Sequence, residues 1–237
     1  MAEDSPLYTY FFGVGAPPSL GQQLQRRLSE IDVDHEQRNG RRLAGAWEPA
    51  SNYHMTLLYL GSPTYLPAWK VARATEVLET FEPFELRLSG DFDLFGRARN
   101  IAVALVEDGG MLTRIQNGLL ERFAESVDEE PEGEVDLREV GKLADILKKR
   151  RGVKAHLTVQ RNTVRGWPKK EYKVTDCDPW VVDAVHLYRG SSIVEDGRKR
   201  RVYEVAESIP LAGKGAKPPT EVYIDQISGM RYSLNGV

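Results

Sequence analysis

Two of the chain's four histidines open the same short phrase. His54-Met55-Thr56-Leu57 lies inside NYHMTLLYLG, and His156-Leu157-Thr158-Val159 lies inside KAHLTVQR. Both runs are apolar enough to read as buried strands. Strand side chains alternate between faces, so His54 travels with Thr56 and His156 with Thr158. An unperturbed imidazole titrates near ~6.5, so two of them in one cleft can give and take a proton at neutral pH. Phosphodiester cleavage needs that set of parts: a base, an acid, and donors for the phosphoryl oxygens. Two imidazoles supply the first pair, and two Thr hydroxyls supply the third. A single phrase has a plainer reading, because Thr suits strands and a half-buried His can simply be hydrogen-bonded. It is the duplication that favours chemistry.

Other chemistries find less support. There is no His-Glu-x-x-His, no cysteine pair and no His/carboxylate cluster at ligand spacing, so no metal or cofactor is called for. Gly13-Val14-Gly15 precedes a helix, but Pro17 and Pro18 crowd the turn, and it reads as a strand-ending loop rather than a phosphate-binding loop.

The surrounding pattern supplies elements to carry the two phrases. A strand is predicted over Leu7–Val14. Ser19 is placed to cap a helix with the apolar stripe Leu20, Leu24, Leu28 and Ile31. A polar, Arg-rich loop is expected from His35 to about Ser51. After the first His strand come a helix over about Leu66–Phe81 and strands Phe84–Leu88 and Asn100–Val106, with a loop between them. A second helix stripe is Leu112, Ile115, Leu119 and Phe123. Ser126–Arg151 looks inserted: acidic at first, then basic. Past the second His strand, Val181–Tyr188 and Val202–Glu207 read as strands around a turn-rich stretch. One His strand per half suggests an internal pseudo-repeat of two α+β lobes. The expected division is one domain over 1–211 with an insertion at about 126–151, then a linker and tail over 212–237.

The bulk numbers bound the class. A chain of 237 residues, 41% hydrophobic and 28% charged, can bury a substantial core as an ordinary globular protein. The net charge of -3 leaves any nucleic-acid contact to local patches such as Lys148–Arg151 and Arg198–Arg201. Cys177 is the only cysteine, there is no run long enough to span a membrane and no signal-peptide pattern, and the expectation is a cytoplasmic monomer with no membrane partner.

WEPASNYHMTLLYLG and KAHLTVQR, together with YFFGVGAPP, FELRLSGDFDLFG and VHLYRGSS, resemble the two-histidine (2H) phosphoesterase superfamily over most of residues 7–211. The similarity is greatest to its RNA 2′,3′-cyclic phosphodiesterase branch, also called 2′-5′ RNA ligases. The resemblance implies an α+β, bilobal fold: two antiparallel sheets with flanking helices around a V-shaped cleft, one His-x-Thr strand per lobe. It implies metal-free hydrolysis of RNA or nucleotide 2′,3′-cyclic phosphate ends to a 2′-phosphate, with reversible 2′-5′ joining. Three departures stand out: the two His are 102 residues apart, Ala155 stands where Pro is common, and residues follow Leu211.

On that footing His54, Thr56, His156 and Thr158 are the expected catalytic residues. His156 would be the base and His54 the acid, an assignment that can be swapped. Arg161 is the expected phosphate contact. Phe12 is a candidate to stack a base, weighed against burial in the core. A third cleft histidine, His186, is the lesser reading beside a hydrogen-bonded strand His, and His35 reads as solvated. The alternatives are a 2H enzyme on 2′-5′ oligonucleotides or a small cyclic phosphate, and a non-catalytic binder of RNA ends.

Overall fold

The computed structural model describes residues 8–62, 65–66, 68–125, 153–163, 167–195, 198–211, 222–225 and 231–233. Two antiparallel sheets with flanking helices form a mixed α+β fold. Sheet I joins β1 (Thr9–Gly15), β3 (His54–Gly61), β9 (Ala184–Glu195) and β10 (Arg198–Pro210) in the order β10-β9-β1-β3. Sheet II joins β2 (Ala46–Trp47), β5 (Phe84–Phe95), β6 (Ile101–Glu107), β7 (His156–Arg161) and β8 (Trp180–Val182) in the order β2-β7-β6-β5-β8. Each His-x-Thr phrase begins a strand, β3 in one sheet and β7 in the other, and these two strands touch.

The lobes are not the two halves of the sequence. β9 and β10, from the C-terminal half, build half of sheet I, while β2, from the N-terminal half, edges β7 in sheet II. Helix α3 (Met111–Glu125) buries Leu112, Ile115, Leu119 and Phe123, as its spacing predicts. It packs on sheet I: Phe123 meets Phe12 at 6.1 Å between ring centroids, and Gln116 Nε2 donates to the Leu57 carbonyl at 2.6 Å. Asp108 closes the helix start by accepting from the Leu112 N–H at 2.9 Å. Helix α2 (Ala68–Leu78) lies against α3.

Helix α1 (Pro18–Asn39) buries the predicted stripe Leu20, Leu24, Leu28 and Ile31. Its start differs from expectation. Pro17 occupies the N-cap, Pro18 the first turn, and no side chain caps it, because proline's missing N–H and fixed φ suit that position. The helix also continues through His35, where a loop was expected. Arg38 pairs with Asp34 one turn back at 3.0 Å, and the chain leaves the helix only at Gly40, at φ 69°, whose N–H bonds the Glu36 carbonyl. His35 is half-buried, with its ring 6.2 Å from that of Tyr172.

Two strands are longer than their sequence signals. β5 runs on through an irregularity between Leu88 and Phe92, where Gly90 takes φ 86°. The turn-rich stretch after Tyr188 is the β9–β10 hairpin, paired from Ala184–Pro210 outward to Glu195–Arg198. Cross-strand pairing there outweighs the local preference for turns. The insertion at about 126–151 and the linker at 212–221 lie outside the described residues. Further along, β11 (Val222–Asp225) pairs with β12 (Arg231–Ser233) and with β4 (Tyr65–Leu66). Among the described residues no helix is long and apolar enough to cross a membrane.

Candidate active site

The two histidines are held in the same way. His54 Nδ1 lies 2.8 Å from the Asn52 carbonyl oxygen, and His156 Nδ1 lies 2.6 Å from that of Lys154. Each bond reaches back two residues along the chain. A carbonyl only accepts, so Nδ1 carries the proton in both rings, and Nε2 keeps its lone pair in the neutral form. The repeated phrase thus becomes a repeated tautomer.

Register fixes what shares the face. In sheet I, Thr56 pairs with Gly13 and Gly13 with His186; Gly15 pairs with His54. In sheet II, Thr158 pairs with Val103, and His156 with Leu105. Directly paired residues send side chains to the same side. Thr56 is exposed and Thr158 half-buried. Among the described residues, neither hydroxyl has a hydrogen-bond partner. Both can donate to an incoming oxyanion.

Aromatic rings wall the imidazoles. His54 lies 4.7 Å from Phe11, 4.6 Å from Tyr203 and 5.3 Å from Tyr188, between ring centroids. His156 lies 4.4 Å from Phe95. Burial is the main reason the His54 pKa falls to about 4, and the nearby Arg161 and His156 charges push the same way. The Asn52 carbonyl and the Glu48 carboxylate resist that fall. His156 is also pushed below the usual imidazole value, first by burial, then by Lys154 and Arg161, against the Lys154 carbonyl. His54, His156 and Arg161 therefore share one electrostatic neighbourhood. Burial holds both rings neutral near pH 7, and an anion between them would return a proton to one.

Arg161, at the end of β7, is tied by its Nε to the Glu48 carboxylate. Glu48 is a residue the sequence pattern does not single out. It is 8% exposed, and its other oxygen accepts from Asn52 Nδ2 at 2.9 Å. Asn52 also donates to the Arg201 carbonyl at 2.9 Å, and its own carbonyl holds His54. One carboxylate thus steadies Arg161 of one sheet and the His-bearing segment of the other. Glu48 lies six residues before His54 with no periodic signal, so only tertiary contact reveals it.

The expectation for Phe12 is corrected. It is fully buried against Phe123 on the core side of β1 and shows no ring face to a ligand. Its neighbour Phe11, one strand position away and on the opposite face, is the ring beside His54. His186 stands on the Thr56–Gly13 row, with Nδ1 2.9 Å from Ser208 Oγ, so it is both hydrogen-bonded and on the histidine face. Lys148–Arg151 lies outside the described residues. Arg200 and Arg201 are exposed on β10, where the Arg201 carbonyl accepts from Asn52. A cavity of about 580 Å³ is lined by α1 residues together with Arg42, Trp47, Glu48 and Tyr53, and by no histidine. Among the described residues, no group of three or more His, Cys, Asp and Glu could hold a metal ion.

A family model described as the 2′-5′ RNA ligase superfamily matches residues 17–192. The fold is similar to that of TT0787 of Thermus thermophilus, at TM-score 0.59 and 22% identity, covering 87% of this chain and 99% of that one. It is also similar to E. coli LigT in apo form, at TM-score 0.53 and 21% identity over 88% and 99%. A structure named only as a phosphoesterase matches at TM-score 0.51 and 20% identity over 86% and 97%. No curated protein matches at a significant level.

Proposed function

The chain belongs to the 2′-5′ RNA ligase superfamily, and on that footing we propose that it hydrolyses the 2′,3′-cyclic phosphate ends of RNA, or of nucleotides, to a 2′-phosphate without a metal. The supporting observation is the paired tautomer: two neutral imidazoles, each with Nδ1–H fixed on a carbonyl and Nε2 left to react. His156 Nε2 takes a proton from water as its oxygen attacks phosphorus. The P–O3′ bond breaks, and His54, protonated when the anionic substrate is bound, gives its proton to the leaving 3′ oxygen. Thr56 and Thr158 donate to the non-bridging oxygens, and Arg161 adds charge. The same steps with a 5′-hydroxyl in place of water join two ends through a 2′-5′ bond, and the reverse of that joining, in which the 3′-hydroxyl attacks and the 5′ oxygen leaves, exchanges the two histidine roles.

A small nucleotide substrate is the second reading, favoured by the fold similarity to E. coli LigT complexed with ATP and with NADP+. A panel of cyclic nucleotides, RNA oligomers with cyclic ends and 2′-5′ oligomers separates the two. The test of mechanism is turnover in EDTA. His54→Ala and His156→Ala should each lower kcat by about 10²–10⁴-fold, the usual contribution of a positioned acid or base. Unchanged turnover in either variant sinks the mechanism. Tight binding of RNA ends with no turnover by the unaltered protein would instead show a non-catalytic binder.

A further inference from the structure

Sheet II carries a second charged device on the face of His156 and Thr158. Thr158 pairs with Val103, and Val103 pairs with Asp93. Asp93 therefore stands on that face, two strands from Thr158, or about 10 Å at the usual strand spacing. Phe95, two residues on, shares the face and touches the His156 ring.

Three cations from three separate segments converge on this one carboxylate. Lys154 Nζ lies 2.8 Å from Asp93 Oδ2, Lys169 Nζ bonds Oδ1, and Arg99 lies 3.6 Å from Oδ1. Among the described residues no other carboxylate pairs with any of the three. One negative charge against three leaves a surplus of two. The Lys154 and Arg99 side chains are 57% and 64% exposed, so ligands can reach them. Lys154 Nζ also sits 4.7 Å from the Phe95 ring centroid, which bridges the cluster to the imidazole. An Asp used only to staple loops needs one partner, and three would repel one another without a further anion. Each lysine spends one of its three donors on Asp93, which leaves donors for that anion.

We propose that Arg99, Lys154 and Lys169 bind a second phosphate of the substrate: the one on the 5′ side of the nucleoside whose cyclic phosphate lies between His54 and His156. Phe95 then lies against the intervening nucleoside. This inference rests on the cyclic-phosphate reading of the histidine site. One ribose separates the two phosphates, as one stretch of sheet face separates the two sites. The consequence is specificity for RNA ends and 5′-phosphorylated nucleotides over bare nucleoside cyclic phosphates.

The test compares kcat/KM for a nucleoside 2′,3′-cyclic phosphate with a 5′-hydroxyl and for the same compound bearing a 5′-phosphate, in the full chain at fixed low salt. The phosphorylated compound should be preferred by about tenfold or more, the range expected of hydrogen bonds to charged groups. Arg99→Asn and Lys169→Gln should each bring that ratio towards one, chiefly through KM. Arg99 has φ 51°, a backbone conformation that Asn tolerates, so the substitution leaves the turn intact. A ratio near one in the unaltered protein, or a ratio unmoved by both variants, overturns the second site. If neither compound is turned over, the cyclic-phosphate reading fails on its own. Calorimetry with AMP and adenosine then decides the second site, which requires tighter binding of AMP and loss of that difference in Arg99→Asn.

Discussion

His54 and His156 are set by their carbonyl partners and by burial, and these have opposite effects on the proton. The carbonyls would favour imidazolium, but burial dominates in both rings and lowers their pKa values. Without a ligand the proposed acid–base pair is therefore displaced downward. The bell-shaped profile of kcat/KM, which reports the free enzyme, should peak below ~6.5, the unperturbed imidazole value. Added phosphate should move the His54 titration, seen by its ring-proton NMR shift, upward from about 4. The same displacement affects stability. Between ~6.5 and about 4 the unfolded chain binds a proton on His54 that the folded chain does not, so stability falls as pH drops through that window. Urea midpoints at pH 7 and pH 5 should show a smaller acid loss in His54→Gln. Glu48→Gln probes the neighbouring network. It removes the charge that balances Arg161 while keeping an acceptor for Asn52. It should move the His54 titration further down, lower kcat/KM, and cost about 1–3 kcal/mol as a buried group is left poorly paired. An unmoved His54 titration would show that Glu48 acts only as packing.

At the scale of elements, β1 brings the site into register. It is the shared neighbour of β3 and β9, and its Gly15 pairs with His54. A Cβ at Gly15 would stand 2.6 Å from the Tyr188 hydroxyl. Gly15→Ala should therefore push Tyr188 away from the His54 wall, with a stability loss of about 1–3 kcal/mol for overpacking and reduced turnover. Because the clash is with the hydroxyl alone, Tyr188→Phe in the Gly15→Ala background should recover part of both losses. Thermal melts and kcat of the double variant measure that coupling. Additive losses would show that the strand itself, not the hydroxyl, resists the methyl group.

Over the whole molecule, the sheets interlock the chain's two ends. Sheet I cannot close without β9 and β10, and sheet II takes its β2 edge from the N-terminal half. A chain ending at Asp183 keeps both His-x-Thr phrases but strips β1 of its β9 neighbour. It should lose the cooperative unfolding transition seen by circular dichroism and fail to turn over substrate. A stable, active truncated chain would overturn this interdependence.

The pair of His-x-Thr strands, the helix stripes and the α+β class are all legible in the sequence, because period and spacing are local properties written in consecutive residues. So is the side chain that accompanies each histidine, since alternation needs no partner strand. The rest waits on the folded chain. Phe11 rather than Phe12 faces His54, because β1 is buried on both sides and alternation alone does not say which face is the site. Residues 189–195 and 198–201 are paired strands rather than turn, because cross-strand pairing overrides local propensity. Glu48 and the cations at Asp93 carry no sequence signal at all. Most of their partners lie far along the chain, as Glu48 and Arg161 or Asp93 and Lys154 do, and electrostatic coupling depends on distance in space.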